Sequence, residues 1–245
     1  MVLHPQQVLE TGLGVALGAG LLAGGYAYAA MWPASRIFGQ ALIAPKRAKE
    51  LALTFDDGPN PRWTPLLLDT LAEHTVSATF FLIGKYAARQ PALVRRIHQA
   101  GHLIGNHTWT HPNLAITGSR QTCAELQNTS NELEQITGSA VRYFRPPFGG
   151  RRPATLRIAR ELGMTPVLWN AISPDWQATK AEQVVQPLSN LVEKNDRRDR
   201  ATNIVLHDGG HLTLEANRAA SVEAAGELIR KFSPNHRFVT LEAWT

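Results

Sequence analysis

The chain has 245 residues and a mass of 26.9 kDa, enough for one sizeable domain around a single core. Its 44% apolar and 18% charged residues exclude a disordered chain, no repeat points to a fibre or solenoid, and a lone cysteine, Cys123, excludes a disulfide framework or a cysteine-based zinc cluster. The net charge of +5 favours anionic surroundings such as envelope polymers or membranes, but the basic residues are scattered and the block from Asp196 to Arg200 is mixed in sign, which reads as a solvated loop and not as a nucleic-acid site.

The first predicted element is hydrophobic. Thr11 to Trp32 contains no charged side chain, and 22 residues at helical rise are long enough to cross a bilayer of about 30 Å. Six glycines and only four leucines make it moderately apolar, and Tyr26, Tyr28 and Trp32 cluster at one end like an interfacial belt. No Lys or Arg precedes Thr11, which argues against a cleaved signal peptide. Residues 1–45 are therefore expected to form a hydrophobic N-terminal helix and membrane anchor, with a catalytic domain over 46–245. The positive charges Arg36, Lys46, Arg47 and Lys49 all follow the segment, and charge bias alone would keep that domain in the cytoplasm. The substrates argued below place it outside.

From residue 50 onward, short β-rich runs alternate with amphipathic stretches. Strands are predicted at Leu51–Asp56, Ala78–Ile83, Leu103–Asn106, Tyr143–Pro146, Pro166–Trp169, Ile204–His207 and Phe238–Leu241. Helices are predicted at Trp63–His74, Pro91–Ala100, Ser119–Thr137, Pro153–Leu162, Lys180–Lys194 and Leu214–Phe232, with Pro91 and Pro153 suited to first turns and Gly101, Gly138 and Gly163 to helix ends. The alternation predicts parallel βα units, and in a closed parallel barrel the functional residues gather at the C-terminal ends of the strands.

Polar residues stand at those ends: Asp56 and Asp57, His107 and His111, Arg145, Asp175, His207 and Asp208. Any one of them alone is ordinary turn or cap chemistry, but five strand ends of seven carrying such groups is not. His107 and His111 are spaced to share one metal ion, and Pro112 predicts a loop or single turn around them. Asp57 offers a third ligand, and three protein ligands leave the open position of a catalytic site. The neighbouring carboxylates Asp56 and Asp57 need compensation, for which Arg145 is the partner of Asp56. Asp56 is then a general base, and His207, oriented by Asp175, a general acid.

The runs Thr54-Phe55-Asp56-Asp57-Gly58-Pro59, His107-Thr108-Trp109-Thr110-His111, Arg145-Pro146-Pro147-Phe148-Gly149, Asp175-Trp176 and Leu206-His207-Asp208 resemble, in order, the five motifs of the polysaccharide deacetylases. The resemblance covers the chain from about Leu51 onward. It implies an α/β fold, a distorted (β/α)7 barrel, and removal of N-acetyl groups from amino sugars of a glycan such as peptidoglycan or a chitin-like oligomer. It implies one divalent ion held by Asp57, His107 and His111, zinc first, with cobalt, manganese or nickel as alternatives. It makes Asp56 the base, Arg145 its partner, and His207 the acid supported by Asp175. Trp176 and Leu206 would line the acetyl pocket, and Pro147 and Phe148 belong to the substrate-binding motif. Phe148 stands where many relatives carry tyrosine, but the implied role there is that of the main-chain N–H. The alternatives are a deacylase of lipid-linked sugar formamides, O-acetyl xylan or small amides, and a non-catalytic glycan-binding envelope protein. Short loops predict an open groove. No obligate protein partner is evident.

Overall fold

The computed structural model describes residue 20 and residues 22–245. Residues 22–31 belong to a helix, α1. Part of the predicted N-terminal anchor segment, residues 1–19 and 21, lies outside the described residues. Among those described, no helix is long and apolar enough to cross a membrane.

Eight parallel strands form one sheet: β1 (Glu50–Gly58), β2 (Thr79–Leu82), β3 (Leu103–Asn106), β4 (Tyr143–Phe144), β5 (Thr165–Pro166), β6 (Ala171–Ile172), β7 (Thr202–His207) and β8 (Arg237–Phe238). Their order is β5-β4-β3-β2-β1-β7-β6, with β8 paired to the start of β1. Around them run α2 (Trp63–Glu73), α3 (Gly84–Ala87), α4 (Pro91–Gln99), α5 (Ser119–Thr137), α6 (Pro153–Glu161), α7 (Glu182–Asp196) and α8 (Ala219–Phe232). The expected distorted barrel is thus a barrel-like sheet that does not close, because β5 and β6 are not paired. At this seam Leu42 adds one parallel bridge to Val167, with Leu42 N–H donating to Pro166 O and Leu168 N–H to Leu42 O, both at 2.8 Å.

Alternation along β1 explains both faces of the sheet. Leu51, Leu53 and Phe55 point to the helices and join the large core with Leu67, Leu71, Leu206 and Leu228. Ala52 points inward and meets Phe81, Tyr143, Val167 and Leu241. Gly105 faces Phe81 so closely that a Cβ there would lie 2.6 Å from the ring. The next inward residues of β1, Thr54 and Asp56, are polar, and Arg145 reaches both. An apolar floor therefore carries a polar layer at the C-terminal ends of the strands.

Several elements differ from the expectations: β5 ends at Pro166 where a strand to Trp169 was expected, and β8 ends at Phe238 where one to Leu241 was expected, Leu241 instead opening a short turn of helix. Strand β6 has only two residues and offers no β-rich run to read. The short α3 was not predicted. Helix α8 starts at Ala219 and not at Leu214. Its entry is fixed by Asn217 Oδ1, which accepts from Ala219 N–H at 3.0 Å, and by Arg218, whose Nε donates to Gly209 O at 2.6 Å. The preceding residues are thereby folded back as a loop toward the strand ends.

Candidate active site

Strand β1 ends in Asp56 and Asp57, and the loop after β3 carries His107 and His111. That loop is held from below. Glu125 on α5 accepts from Trp109 N–H, Thr110 N–H and the Thr110 hydroxyl at 2.8, 2.7 and 2.6 Å, and Asn106 Oδ1 accepts from Thr108 N–H at 2.8 Å. The loop is the non-helical turn that Pro112 predicts. Of seven non-glycine residues with positive φ among the described residues, four (Asp57, Thr108, His111 and Phe148) lie at the C-terminal ends of the strands or in the loops that follow them. Each such residue costs on the order of 1–2 kcal/mol, so the surroundings must hold them there.

Asp57 Oδ1 lies 3.4 Å from His107 Nε2 and 3.1 Å from His111 Nε2. A tetrahedral ion with bonds of about 2.1 Å has ligand–ligand edges of roughly 3.4 Å. The three ligand atoms all fall within 4.8 Å of one another, and all three residues are buried. His107 Nδ1 donates to Arg145 O at 2.8 Å, which leaves Nε2 with its lone pair toward Asp57. Burial alone would raise the Asp57 carboxyl, but contacts from His107, His111 and His211 outweigh it and hold the group well below the usual carboxylate range. Burial lowers His111, a shift Asp57 only partly offsets. An ionised carboxylate and a neutral imidazole are the states that ligate a cation. Asp57 Oδ1 and His111 Nδ1 have no hydrogen-bond partner, and a cation would compensate the former. The donor set fits a divalent ion.

On one side of this cluster, Asp56 Oδ1 accepts from Arg145 Nη1 at 2.7 Å, while Asp56 Oδ2 stands 3.9 Å from His107 Nε2. Arg145 is completely buried. It also donates to Thr54 Oγ1 at 2.7 Å and stacks over Phe81 at 4.2 Å, so its planar group is fixed on three sides. On the other side, His207 Nδ1 is 2.8 Å from Asp175 Oδ1. Asp175 Oδ2 accepts from His207 N–H at 2.8 Å and from Ser221 Oγ at 2.6 Å. Burial by itself lowers the His207 pKa, but the charge and hydrogen bond of Asp175, with smaller help from Asp57 and Asp56, raise it to about 9.

A cavity of about 570 Å³ opens over these groups and is lined by Asp56, Asp57, His107, His111 and His207, with Phe148, Trp169, Trp176 and Val205 among the apolar walls. Phe148 packs edge-on against His111 at 4.7 Å, and Trp176 against His207 at 5.1 Å. Two expected lining residues are elsewhere. Leu206 points into the helix-side core, because residues adjacent on a strand face opposite ways, and Val205 takes the wall position beside His207. Pro147 is buried outside the cavity wall.

Sequence reasoning passed over His211. It stacks on His111 at 4.6 Å with 19° between the planes, and its Nδ1 lies 3.7 Å from Asp57 Oδ2. Its carbonyl oxygen accepts from Lys85 Nζ and the Tyr86 hydroxyl at 3.3 and 3.1 Å, which pins the glycine-rich turn. The available signal was a second histidine four residues after His207. Trp169 and Ser221 had no signal of their own. Asp208, the second acid of its motif, is withdrawn from the cavity. Its carboxyl takes the Thr64 hydroxyl, and burial raises it to about 7.

A barrel-like parallel sheet with a buried Asp-His-His cluster between an Asp–Arg pair and a His–Asp pair defines a metal-dependent hydrolase. The polysaccharide deacetylase family profile matches residues 44–167. The peptidoglycan-N-acetylglucosamine deacetylase of Bacillus cereus is 36% identical over 207 residues, 83% of this chain and 71% of its own length. The chitooligosaccharide deacetylase of Azorhizobium caulinodans is 34% identical over 174 residues, 71% of this chain and 80% of its own. A crystal structure of a peptidoglycan N-acetylglucosamine deacetylase superposes with a TM-score of 0.73 at 34% identity, covering 83% of this chain and 91% of that one. The chain belongs to the polysaccharide deacetylase family.

Proposed function

We propose that this chain hydrolyses the N-acetyl group of N-acetylglucosamine residues in a cell-wall glycan, with peptidoglycan as the first substrate. The observation that carries this reading is the order of groups across the cavity: the Asp56–Arg145 pair, the Asp57, His107 and His111 cluster, then the His207–Asp175 pair. A divalent ion on Asp57, His107 and His111, zinc first, would polarise the acetyl carbonyl and acidify the attacking water.

The residues divide the remaining work. Asp56, fixed through Oδ1 by Arg145, turns Oδ2 toward the cluster and takes the proton of the attacking water. The main-chain N–H of Phe148 serves the oxygen that gains charge. The amide nitrogen must be protonated before an amine can leave, and Asp56 stands on the wrong side of the scissile bond for that. His207, kept as imidazolium by Asp175, delivers the proton from Nε2. Trp176 and Val205 wall the space for the acetyl methyl.

The test is acetate release and product analysis with peptidoglycan fragments, chito-oligomers and acetyl-xylan side by side. Release of acetate from acetyl-xylan alone, or from none of them with zinc bound, overturns the reading. For location, the uncharged segment that starts at Thr11 serves as a membrane attachment with the domain on the outer face, supported by its composition and by the substrate, while its last residues, Tyr26 to Trp32, are bonded to the catalytic domain. Protection from added protease in wall-stripped intact cells would show the opposite orientation.

A further inference from the structure

The segment from Tyr26 to Ile43 lies against the catalytic domain as a strap. Ala29 and Ala30 are buried, the Tyr26 hydroxyl donates to Ala115 O at 2.5 Å, and Asn203 Nδ2 donates to Ile43 O at 3.2 Å. The strongest attachment is Arg151, only 1% exposed. Its Nη2 donates to Trp32 O and Ser35 O at 2.8 and 2.9 Å, its Nη1 to Ala30 O and Gly149 O at 3.3 and 3.1 Å, and its main-chain N–H to Ala30 O at 3.0 Å. One guanidinium thus joins three strap carbonyls to the turn that carries Phe148.

That turn closes on itself through Gly149 N–H to Pro146 O at 2.9 Å and Gly150 N–H to Pro147 O at 2.8 Å, but its backbone is strained. Phe148 and Gly149 both have left-handed backbone, at φ 58° and 70°. A Cβ at Gly149 would lie 3.0 Å from the Trp169 ring and 3.5 Å from Met31 O, so the turn is sandwiched between a cavity wall and the strap. Phe148 in turn packs on the metal-cluster residue His111. A left-handed non-glycine residue persists only where its surroundings over-determine it, and here the strap and Arg151 hold the backbone while His111 and His211 hold the Phe148 ring.

We infer that Arg151 is a positioning residue that clamps the Phe148 turn to the N-terminal strap, making residues 26–43 a working part of the active site and not a tether. The effect on turnover rests on the deacetylase reading above. The effect on the turn does not.

The experiment compares full-length protein with Arg151→Lys, Phe148→Ala and the double variant. Lysine keeps the charge and loses the fork that reaches four carbonyls. The expected result is a roughly 10- to 100-fold fall in kcat for Arg151→Lys, the size of a small misplacement at a reacting centre, with KM little changed and zinc retained. The double variant should be no worse than the poorer single, since both act on one turn. In the metal-free chain, the His111 imidazole resonances should shift in Arg151→Lys while those of His207 stay in place. Should Arg151→Lys fail to fold, a glycine inserted after Met31, which moves the Trp32 and Ser35 carbonyls out of register, is measured in the same way. Unchanged kcat with unmoved His111 resonances, or additive losses in the double variant, overturns the inference. A shift of His111 in a chain that releases no acetate would sink the deacetylase reading and leave the positioning role standing.

Discussion

Asp175→Asn separates the acid from the rest of the site. The substitution is nearly isosteric and can keep the contacts to His207 N–H and Ser221, but it removes the charge that faces His207 Nδ1 at 2.8 Å. The His207 pKa of about 9 arises because that charge outweighs burial. Without it, burial acts alone and the group falls to its ordinary value of about 6.5 or below. At pH 8 the protonated fraction then drops from about nine-tenths to about 3%, a loss of roughly 30-fold in the acid form, while at pH 6 it changes by less than about twofold. The kcat/KM profile of the parent should fall on its alkaline side near pH 9, and that limb should move to about 6.5 in the variant, with zinc content unchanged. A cation on Asp57 would cancel one of the smaller contributions and leave the Asp175 pairing intact.

The same shift has a stability signature of definite sign. A histidine whose folded pKa is raised stabilises the fold fully below its unfolded pKa, and that contribution fades as pH rises from about 6.5 toward 9. At 1.36 kcal/mol per pH unit the full contribution is about 3 kcal/mol, as an order of magnitude. The parent's unfolding midpoint should therefore decline through this window, and Asp175→Asn should lack the decline. An alkaline limb that stays in place in Asp175→Asn would refute the pairing, and Asp208, buried against Thr64, would become the next carboxylate to replace.

Purified protein should carry close to one zinc per chain, lose activity on chelation and regain it with zinc or cobalt; His107→Ala or His111→Ala should abolish retention by metal analysis. Asp56→Asn should keep the ion and the fold while turnover drops about 10²- to 10⁴-fold, the span of a general base; equal loss of metal and activity would make Asp56 a ligand. His211→Ala should weaken zinc retention about 10-fold in chelator competition, because His111 Nδ1 has no hydrogen-bond partner and the stacked ring of His211 is what braces it. A chain beginning at Lys46 should unfold at lower temperature than one that keeps the strap, since it loses the Arg151 hydrogen bonds to Ala30, Trp32 and Ser35, at about 1.5–3 kcal/mol for a bond to a charged group before water replaces it; an equal midpoint would show that the strap adds no stability.

What was legible in the sequence followed from periodicity and from residues whose chemistry sits at strand ends. The long elements could be read from their runs: β1 from Leu51 and β7 up to His207 each carry large apolar residues in extended stretches, and α5 runs uninterrupted by Gly or Pro from Ser119 to the stop at Gly138. Strand β6 could not, since two residues held only by pairing to Ile204 and Val205 leave no local pattern. Leu206 shows a different kind of miss. Counting back by two from His207 gives Val205 as the inward residue, so the strand period carried the right answer while the motif drew attention to its neighbour. His211 was hidden because its place beside His111 depends on how α3 and Arg218 fold a glycine-rich turn, which is tertiary information.

The N-terminal segment was read through its hydrophobicity, and that reading drew a boundary at residue 45. Hydrophobicity reports how a segment partitions, but it is silent about main-chain carbonyls. Those carbonyls, on Ala30, Trp32 and Ser35, are what Arg151 uses, and those of Leu42 and Ile43 are what the open seam uses. A sheet that leaves β5 and β6 unpaired exposes main-chain groups at its edge, and these must find partners from elsewhere in the chain. Here the partner is the segment just before β1, so the gap in the barrel and the depth of the strap's attachment have one cause. The same segment then reaches the Phe148 turn, because the seam and the turn lie on the same side of the strand ends, joined through Trp169, whose ring faces both Gly149 and Arg145.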